Sequence, residues 1–440
     1  MNKMKRRFSL NEKQLGYAMV LPSLILIAVI ILWPIASSFY NSLFDYRLND
    51  PAHSQKMLST TIDLERYADN YYYLDRSLSE VEPYSPDVQE DLTEIHGKVT
   101  AQHDNLLSDT EVSEKYDQVN EIIASYRPVT DDDLKYIKIK DEFATEYKQL
   151  LGNAQEELNE ITATLDGEAA EEILSISSQL DTLDQSILES NFVGLANYWK
   201  YLQDSRMWKS LSNTLIFTIV SVGVELIIGL MVALLINRSF KGRGLIRASI
   251  LVPWAIPTAV SAMMWSYLYD GQSGIVAHFF EQIGLISDSS VLLSTAGGAM
   301  FSVILADIWK TMPYMALLIL AGLQTIPDSM YEAAQVDGAN KWQQFWKITL
   351  PMIKGSILVA LLFRTLDAFR VFDLIYVLTG GGPANGTESI SIYAYKTLFS
   401  QQNFGEGSVL SVMVFIFVAI ISIIFIKFIG SDLFAGRVKK

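Results

Sequence analysis

The chain runs to 440 residues, half of them hydrophobic, with a mean hydropathy of +0.22 and a net charge of −15. It holds no cysteine, which excludes a disulfide framework, thiolate metal sites and a cysteine nucleophile. Charge is segregated: residues 41–210 carry 35 acidic against 14 basic side chains, a balance of −21 that leaves the remainder at +6.

Taken in order, the chain opens with Lys3, Lys5, Arg6, Arg7 and Lys13, followed by an uncharged apolar run over 19–37. That order also fits a secretory leader. The run is too long for a leader's apolar core, however, and no small-residue cleavage site follows it, so a permanent membrane span is expected. A helix needs about 20 apolar residues to cross the hydrocarbon core. Comparable runs recur at 214–236, 248–268, 299–323, 352–378 and 408–429. The expected fold is an all-α membrane protein of six spans.

With six spans, four basic groups fall on one side. They are the amino-terminal group, Arg238 with Lys241, Arg243 and Arg247, then Lys341 with Lys347 and Lys354, and finally Arg437 with Lys439 and Lys440. Basic residues mark the cytoplasmic side, so both termini are expected in the cytoplasm. The division that follows is 1–44 for the amino terminus and first span, 45–209 for an acidic insert outside the cell, and 210–440 for the membrane core.

The insert is a different material. Leu151, Ala154, Leu158, Ile161 and Leu165 keep a 3,4 spacing, which resumes after Gly167 at Ile173, Ile176, Leu180, Leu183 and Ile187. This seam predicts two antiparallel helices broken at Asp166-Gly167. A weaker helical pattern covers 88–126. A helical insert can serve as a solubilising spacer or as a docking surface for another protein outside the cell, and both readings stay open here.

Within the core, Glu225 is the one charge in its span and must face the bundle or a partner. Pro253, Trp254 and Pro257 open the third span with a bend whose backbone groups need neighbours. In the fourth, Asp307 and Lys310 stand three apart and can pair; Thr311 follows, and Tyr314 shares the Asp307 face. A ring beside carboxylate and hydroxyl groups makes a sugar platform, or else the set is an ion pair with an interfacial tyrosine. The fifth carries Arg364, Asp367, Arg370 and Asp373 at three-residue steps. On one continuous helix Arg364 and Asp373 would lie on opposite sides, so the four are not expected to line one passage.

Two negative signals bound the chemistry. The glycine-rich run 379–387 lacks the Gly-Lys-Ser/Thr of a phosphate loop, and no such motif occurs elsewhere in the sequence, so no nucleotide site is expected there. The four histidines show no metal spacing, and no nucleophile–base pair is apparent. No catalytic residue and no metal site are assigned.

The stretch that organises the rest is Glu332, Ala333, Ala334, then Gly338, then Ile348, Leu350 and Pro351, within 326–351. It reads as two short helices bent at Gly338 and closed where Pro351 opens the next span. This pattern resembles the cytoplasmic coupling loop of permease subunits of binding-protein-dependent ABC importers. Residues 191–430 look like the sugar-importing branch, and the segment 363–383 is similar to permeases for maltose, trehalose and related α-glucosides.

The resemblance implies a second permease subunit, two ATP-binding subunits that hold ATP and magnesium, an extracellular sugar-binding protein, a bilayer and no nucleic acid. No cofactor is implied on this chain. It implies ATPase coupling through Glu332–Pro351 and a sugar pathway near Asp307, Lys310, Thr311, Tyr314, Asp367 and Arg370. The sequence departs from the maltose-type pattern at several of these places, where amides and a glycine stand in the family. Competing readings are a permease for another solute such as glycerol phosphate, and a membrane receptor with an outer helical sensor.

Overall fold

A computed structural model of the chain describes residues 11–79 and 86–435. The basic residues Lys3, Lys5, Arg6, Arg7, Arg437, Lys439 and Lys440 lie outside the described residues. The chain divides into two compact units, one of 11–42, 195–401 and 406–435, the other of 43–194 with 402–405.

The first unit is helical. Among the described residues, five of its helices are long and apolar enough to cross a membrane: Leu15–Asn41, Ser205–Asn237, Ala296–Leu323, Lys341–Phe369 and Phe404–Lys427. A sixth apolar stretch is a pair, Arg243–Ala255 and Thr258–Leu268, bent by 89°. Ile256 precedes Pro257, and a residue before proline is pushed out of the helical region; Ile256 accordingly sits extended at φ −72°, ψ 134°. Small residues set the closest packing. A side chain at Gly322 would run into Ser356, so Ala296–Leu323 and Leu350–Phe369 meet almost backbone to backbone.

The fifth apolar run is displaced from its expected place. Helix begins at Lys341, well before 352, and stops at Phe369; residues 370–372 are irregular and a separate short helix spans Asp373–Thr379. No proline or glycine marks this break. The Ser389 hydroxyl instead takes the Val371 carbonyl at 3.1 Å, and Phe372 leaves the helical region at φ −133°.

The second unit carries helices Leu64–Ser79, Pro86–Leu107, Thr110–Ala124, Asp141–Thr162 and Glu168–Asp184. The 3,4 seam packs as its spacing predicts, with Leu151, Ala154, Leu158, Ile161, Ile173, Ile176, Leu180 and Leu183 buried and Gly167 turning at φ 69°. Ile187 departs from the seam. It belongs to β3 (Ile187–Leu188), which with β1 (Thr61–Asp63) and β2 (Tyr136–Lys138) forms an antiparallel sheet ordered β2-β1-β3. The all-α expectation therefore fails over these few residues. Strands of two or three residues carry no readable alternation, yet Ile62 lies opposite both Ile137 and Ile187, a row of β-branched side chains suited to a pleat.

Candidate functional site

Three apolar helices converge on one buried ionic cluster. Ser205–Asn237 brings Glu225, Ala296–Leu323 brings Asp307, and Leu350–Phe369 brings Arg364. The Arg364 guanidinium grips Glu225 with both arms, Nε at 2.7 Å and Nη2 at 3.0 Å. Nη2 also donates to Asp307, and Nη1 reaches Asp367 at 3.2 Å. The fork of a guanidinium suits this bidentate geometry, which a lysine could not reproduce. The Thr311 hydroxyl lies 2.8 Å from Glu225 Oε1 and 2.7 Å from the Asp307 carbonyl, joining the two helices again.

Asp307 therefore pairs with Arg364 and not with Lys310, against the sequence expectation. Lys310 turns instead to the bent pair. Its ammonium donates to the Ile256 carbonyl at 2.6 Å and lies 3.5 Å from that of Trp254. Both carbonyls lie at the carboxyl end of helix Arg243–Ala255, where carbonyls run out of intrahelical donors, and a cation is the group a helix carboxyl end favours. The bend expected from Pro253 and Pro257 thus finds its neighbour, in a residue assigned elsewhere.

A cavity of about 390 Å³ opens beside this cluster. Asp307, Lys310, Thr311, Arg364, Asp367 and Arg370 line it, with Asp373 on the same wall. The expectation that Arg364 and Asp373 could not share a passage is overturned. It assumed one continuous helix, and the break at 370–372 brings Asp373 back to the side of Arg364. Asp367 bridges the set, with Arg370 at 3.7 Å on its other side. Tyr314 does not extend the platform directly: it stacks on Trp254 at 5.6 Å between ring centres, and Trp254, not Tyr314, is among the residues that line the cavity.

Sequence reasoning did not include Trp254, Arg364 or Glu225 among the pathway candidates. A lone carboxylate in an otherwise uncharged span and an arginine in the fifth apolar run were the available signals for a buried pair.

The second candidate site is the elbow. Asp328–Val336 is a helix whose carboxyl end closes on Gly338 at φ 80°. The amides of Gly338 and Ala339 donate to the carbonyls of Gln335 and Ala334 at 3.0 and 2.8 Å. This pattern wants a left-handed residue, and glycine adopts that conformation freely. Asn340 and Gln343 form a reciprocal cap that starts the next helix. That helix is not a separate short one. It continues from Lys341 through a π turn at Phe345–Thr349 into Leu350–Phe369, so Pro351 is carried inside. The wider turn, in which the Leu350 amide reaches back to Phe345, accommodates a proline that an α-helix interior would reject.

Glu332 and Ala333 are exposed, Ala334 and Ile348 half-buried, and Tyr331 ties the elbow to the following helix through the Thr349 hydroxyl at 3.0 Å.

The glycine-rich run winds around a buried carboxylate. A side chain at Gly381 would meet Glu388 at 3.2 Å. Arg206 grips Glu388 with two bonds of 2.9 Å, and Lys396 adds a third of 2.9 Å. Burial opposes the charge, but the Arg206 and Lys396 cations outweigh it and hold the Glu388 carboxyl below its usual range.

Residues 225–440 match the family described as binding-protein-dependent transport system inner membrane component. Over 241 residues the chain is 44% identical to the trehalose/maltose transport system permease protein MalF of Thermococcus litoralis, covering 55% of this chain and 81% of that one. It is 45% identical over 243 residues to the trehalose transport system permease protein SugA of Mycobacterium tuberculosis, 55% and 76% of the two chains. It is 37% identical over 242 residues to the sulfoquinovosyl glycerol transport system permease protein SmoG of Agrobacterium fabrum, 55% and 78%.

The chain therefore belongs to the permeases of binding-protein-dependent ABC importers, and its relatives place it among those of sugar importers. It is an integral membrane transport component and not an enzyme; ATP hydrolysis sits on separate subunits.

Proposed function

We propose that this chain passes an α-glucoside (maltose, a malto-oligosaccharide or trehalose) from an extracellular binding protein to the cytoplasm. The observation that carries this reading is the wall of the cavity. Three aspartates, Asp307, Asp367 and Asp373, and three cations, Lys310, Arg364 and Arg370, line it together with Trp254. Balanced charges with many donors and acceptors suit a neutral polyol, whose ring face stacks on an indole and whose hydroxyls take the ionic groups. A phosphorylated solute such as glycerol phosphate would need a net positive wall.

In this reading the bent pair Arg243–Ala255 and Thr258–Leu268 is one broken span, giving six in all with both termini cytoplasmic in a bacterial plasma membrane. The chain pairs with a second permease subunit and two ATPase subunits, which carry ATP and magnesium; it binds no cofactor itself. Glu332, Ala333, Ala334 and Gly338 receive the ATPase, whose closure moves the elbow. The first elbow helix is tied by Tyr331 to Thr349 on the second, and the second runs unbroken from Lys341 to Phe369, so that motion is carried to Arg364 and Asp367. Effector and cargo then act by preferring one of two states.

The test is ATPase stimulation of the assembled complex by binding proteins loaded with maltotriose, trehalose or glycerol phosphate. Stimulation by the first two, weakened by Trp254→Ala, is expected. Stimulation by glycerol phosphate alone would overturn the sugar assignment.

A further inference from the structure

The unit of 43–194 holds a cavity that transport does not use. It measures about 470 Å³ and lies between the start of helix Leu64–Ser79 and the turn after Thr110–Ala124. Its wall again balances three carboxylates against three cations: Asp63, Glu65 and Asp69 with Arg66, Arg127 and Lys135. Glu65 pins one side, accepting from Lys135 at 2.5 Å and from the Val129 amide at 2.9 Å. Asn70 adds an amide to the lining.

At the edge stands Tyr126, 99% exposed. Its backbone is left-handed, at φ 53°. The amides of Tyr126 and Arg127 donate back to the carbonyls of Ile123 and Ile122 at 2.8 and 3.3 Å. This is the same helix-ending pattern as at Gly338, where glycine is the residue of choice and a bulky one is strained. Among the described residues nothing packs on the ring to offset that strain. An aromatic residue kept where glycine would be more stable points to a use for its ring.

We propose that this cavity is a second saccharide-binding subsite, with Tyr126 as the stacking platform and Asp69, Asn70 and Arg127 as partners for hydroxyls. The ring takes the C–H face of a pyranose, and the carboxylate, amide and guanidinium supply acceptors and donors at its rim. The volume falls within the ~300–1,000 Å³ typical of small-ligand sites. Balanced charge again favours a neutral polyol. The proposal shares with the transport reading only the class of ligand; its residues belong to the other unit.

The experiment is amide hydrogen exchange on the full chain in lipid nanodiscs, with maltotriose and separately with trehalose as probes. At ten times the dissociation constant, amides of 122–129 are expected to slow about tenfold, the factor by which ligand shifts a local opening equilibrium. Tyr126→Gly removes the platform and relieves the backbone. In this variant the last turn of Thr110–Ala124 is expected to exchange more slowly without sugar, and the sugar-dependent slowing to vanish.

Asp367→Asn, in the transport cavity, is expected to leave the slowing at 122–129 intact even where uptake is lost, which keeps the two readings separable. Unchanged exchange in the wild-type chain with both sugars would overturn the proposal. So would sugar-dependent slowing that survives Tyr126→Gly or disappears in Asp367→Asn.

Discussion

At the scale of single residues, Arg364 decides the most. It is buried with two carboxylates buried beside it, so its removal leaves Glu225 and Asp307 without a counter-charge. Breaking a buried pair from one side costs about 3–5 kcal/mol. Arg364→Leu is therefore expected to abolish accumulation of folded protein, read by size-exclusion of a detergent-solubilised fluorescent fusion. Replacing the cluster as a whole, with Glu225→Met, Asp307→Asn and Arg364→Leu together, is expected to recover monodisperse protein without recovering uptake. A triple variant as unfolded as the single one would remove the charge argument.

The charges themselves were legible in the sequence, but their partners were not. Three-residue spacing pointed Asp307 to Lys310, whereas the pairing that forms spans 57 residues to Arg364. Spacing reads only neighbours on one helix, and here the strongest bonds run between helices.

A second residue gives a pH signature. Burial pushes the Glu65 carboxyl up, but the Lys135 ammonium and the Val129 amide outweigh it and hold the group below its ordinary value near 4.5. A carboxylate with a lowered folded value stabilises above the unfolded value, and that stabilisation is lost as pH falls through the folded one. Protection of the Val129 amide is thus expected to be full at neutral pH and to fall as pH drops below about 4.5. Glu65→Gln should show low protection throughout. Wild-type protection at neutral pH no higher than that of Glu65→Gln would show that this bond does not hold the loop.

At the scale of elements, the elbow and the bend behave differently. Gly338 is confined to a left-handed conformation that proline cannot adopt, and its amide is bonded to Gln335. Gly338→Pro is expected to abolish uptake while membrane insertion, measured by protease protection, stays at wild-type level. Gly338→Ala should retain partial uptake, since it costs about 1–2 kcal/mol at a left-handed position. Normal uptake by the proline variant would remove the elbow from coupling.

The bend at 89° depends on a donor from another helix. Lys310→Met leaves the half-buried Ile256 carbonyl without this donor, a loss of about 1 kcal/mol, and should lower the melting temperature of the solubilised chain. An unchanged melting temperature would mean water or lipid satisfies the bend. The elbow was readable because its devices are local: a glycine after the helix and a cap three residues wide. The break at 370–372 was not, because a serine 18 residues away makes it.

At the scale of the whole molecule, the two units keep separate cores. The buried cluster of the second unit draws only on residues 62–187, and the clusters of the first lie between 201 and 413. The stem of the second unit is clamped on its own account. Asn191 donates to the Asp45 and Gln55 carbonyls at 2.9 and 2.7 Å, and its side-chain oxygen accepts from the Met57 amide at 2.8 Å. Residues 58 and 189 therefore sit close enough to be joined by a short Gly-Ser linker.

Excision of 60–188 on that linker is expected to leave membrane insertion and monodispersity intact, since the buried clusters of the first unit are built from residues between 201 and 413. Uptake then separates the two readings of the insert. A spacer would leave it unchanged, whereas a docking surface for a binding protein would lower it, roughly tenfold for each 1.4 kcal/mol of docking energy lost. We expect the fall. The cause is checked by titrating the complex with its binding protein: weakened docking raises the half-saturating concentration of binding protein and leaves the maximal ATPase rate in place, whereas damage to the membrane unit lowers that maximum.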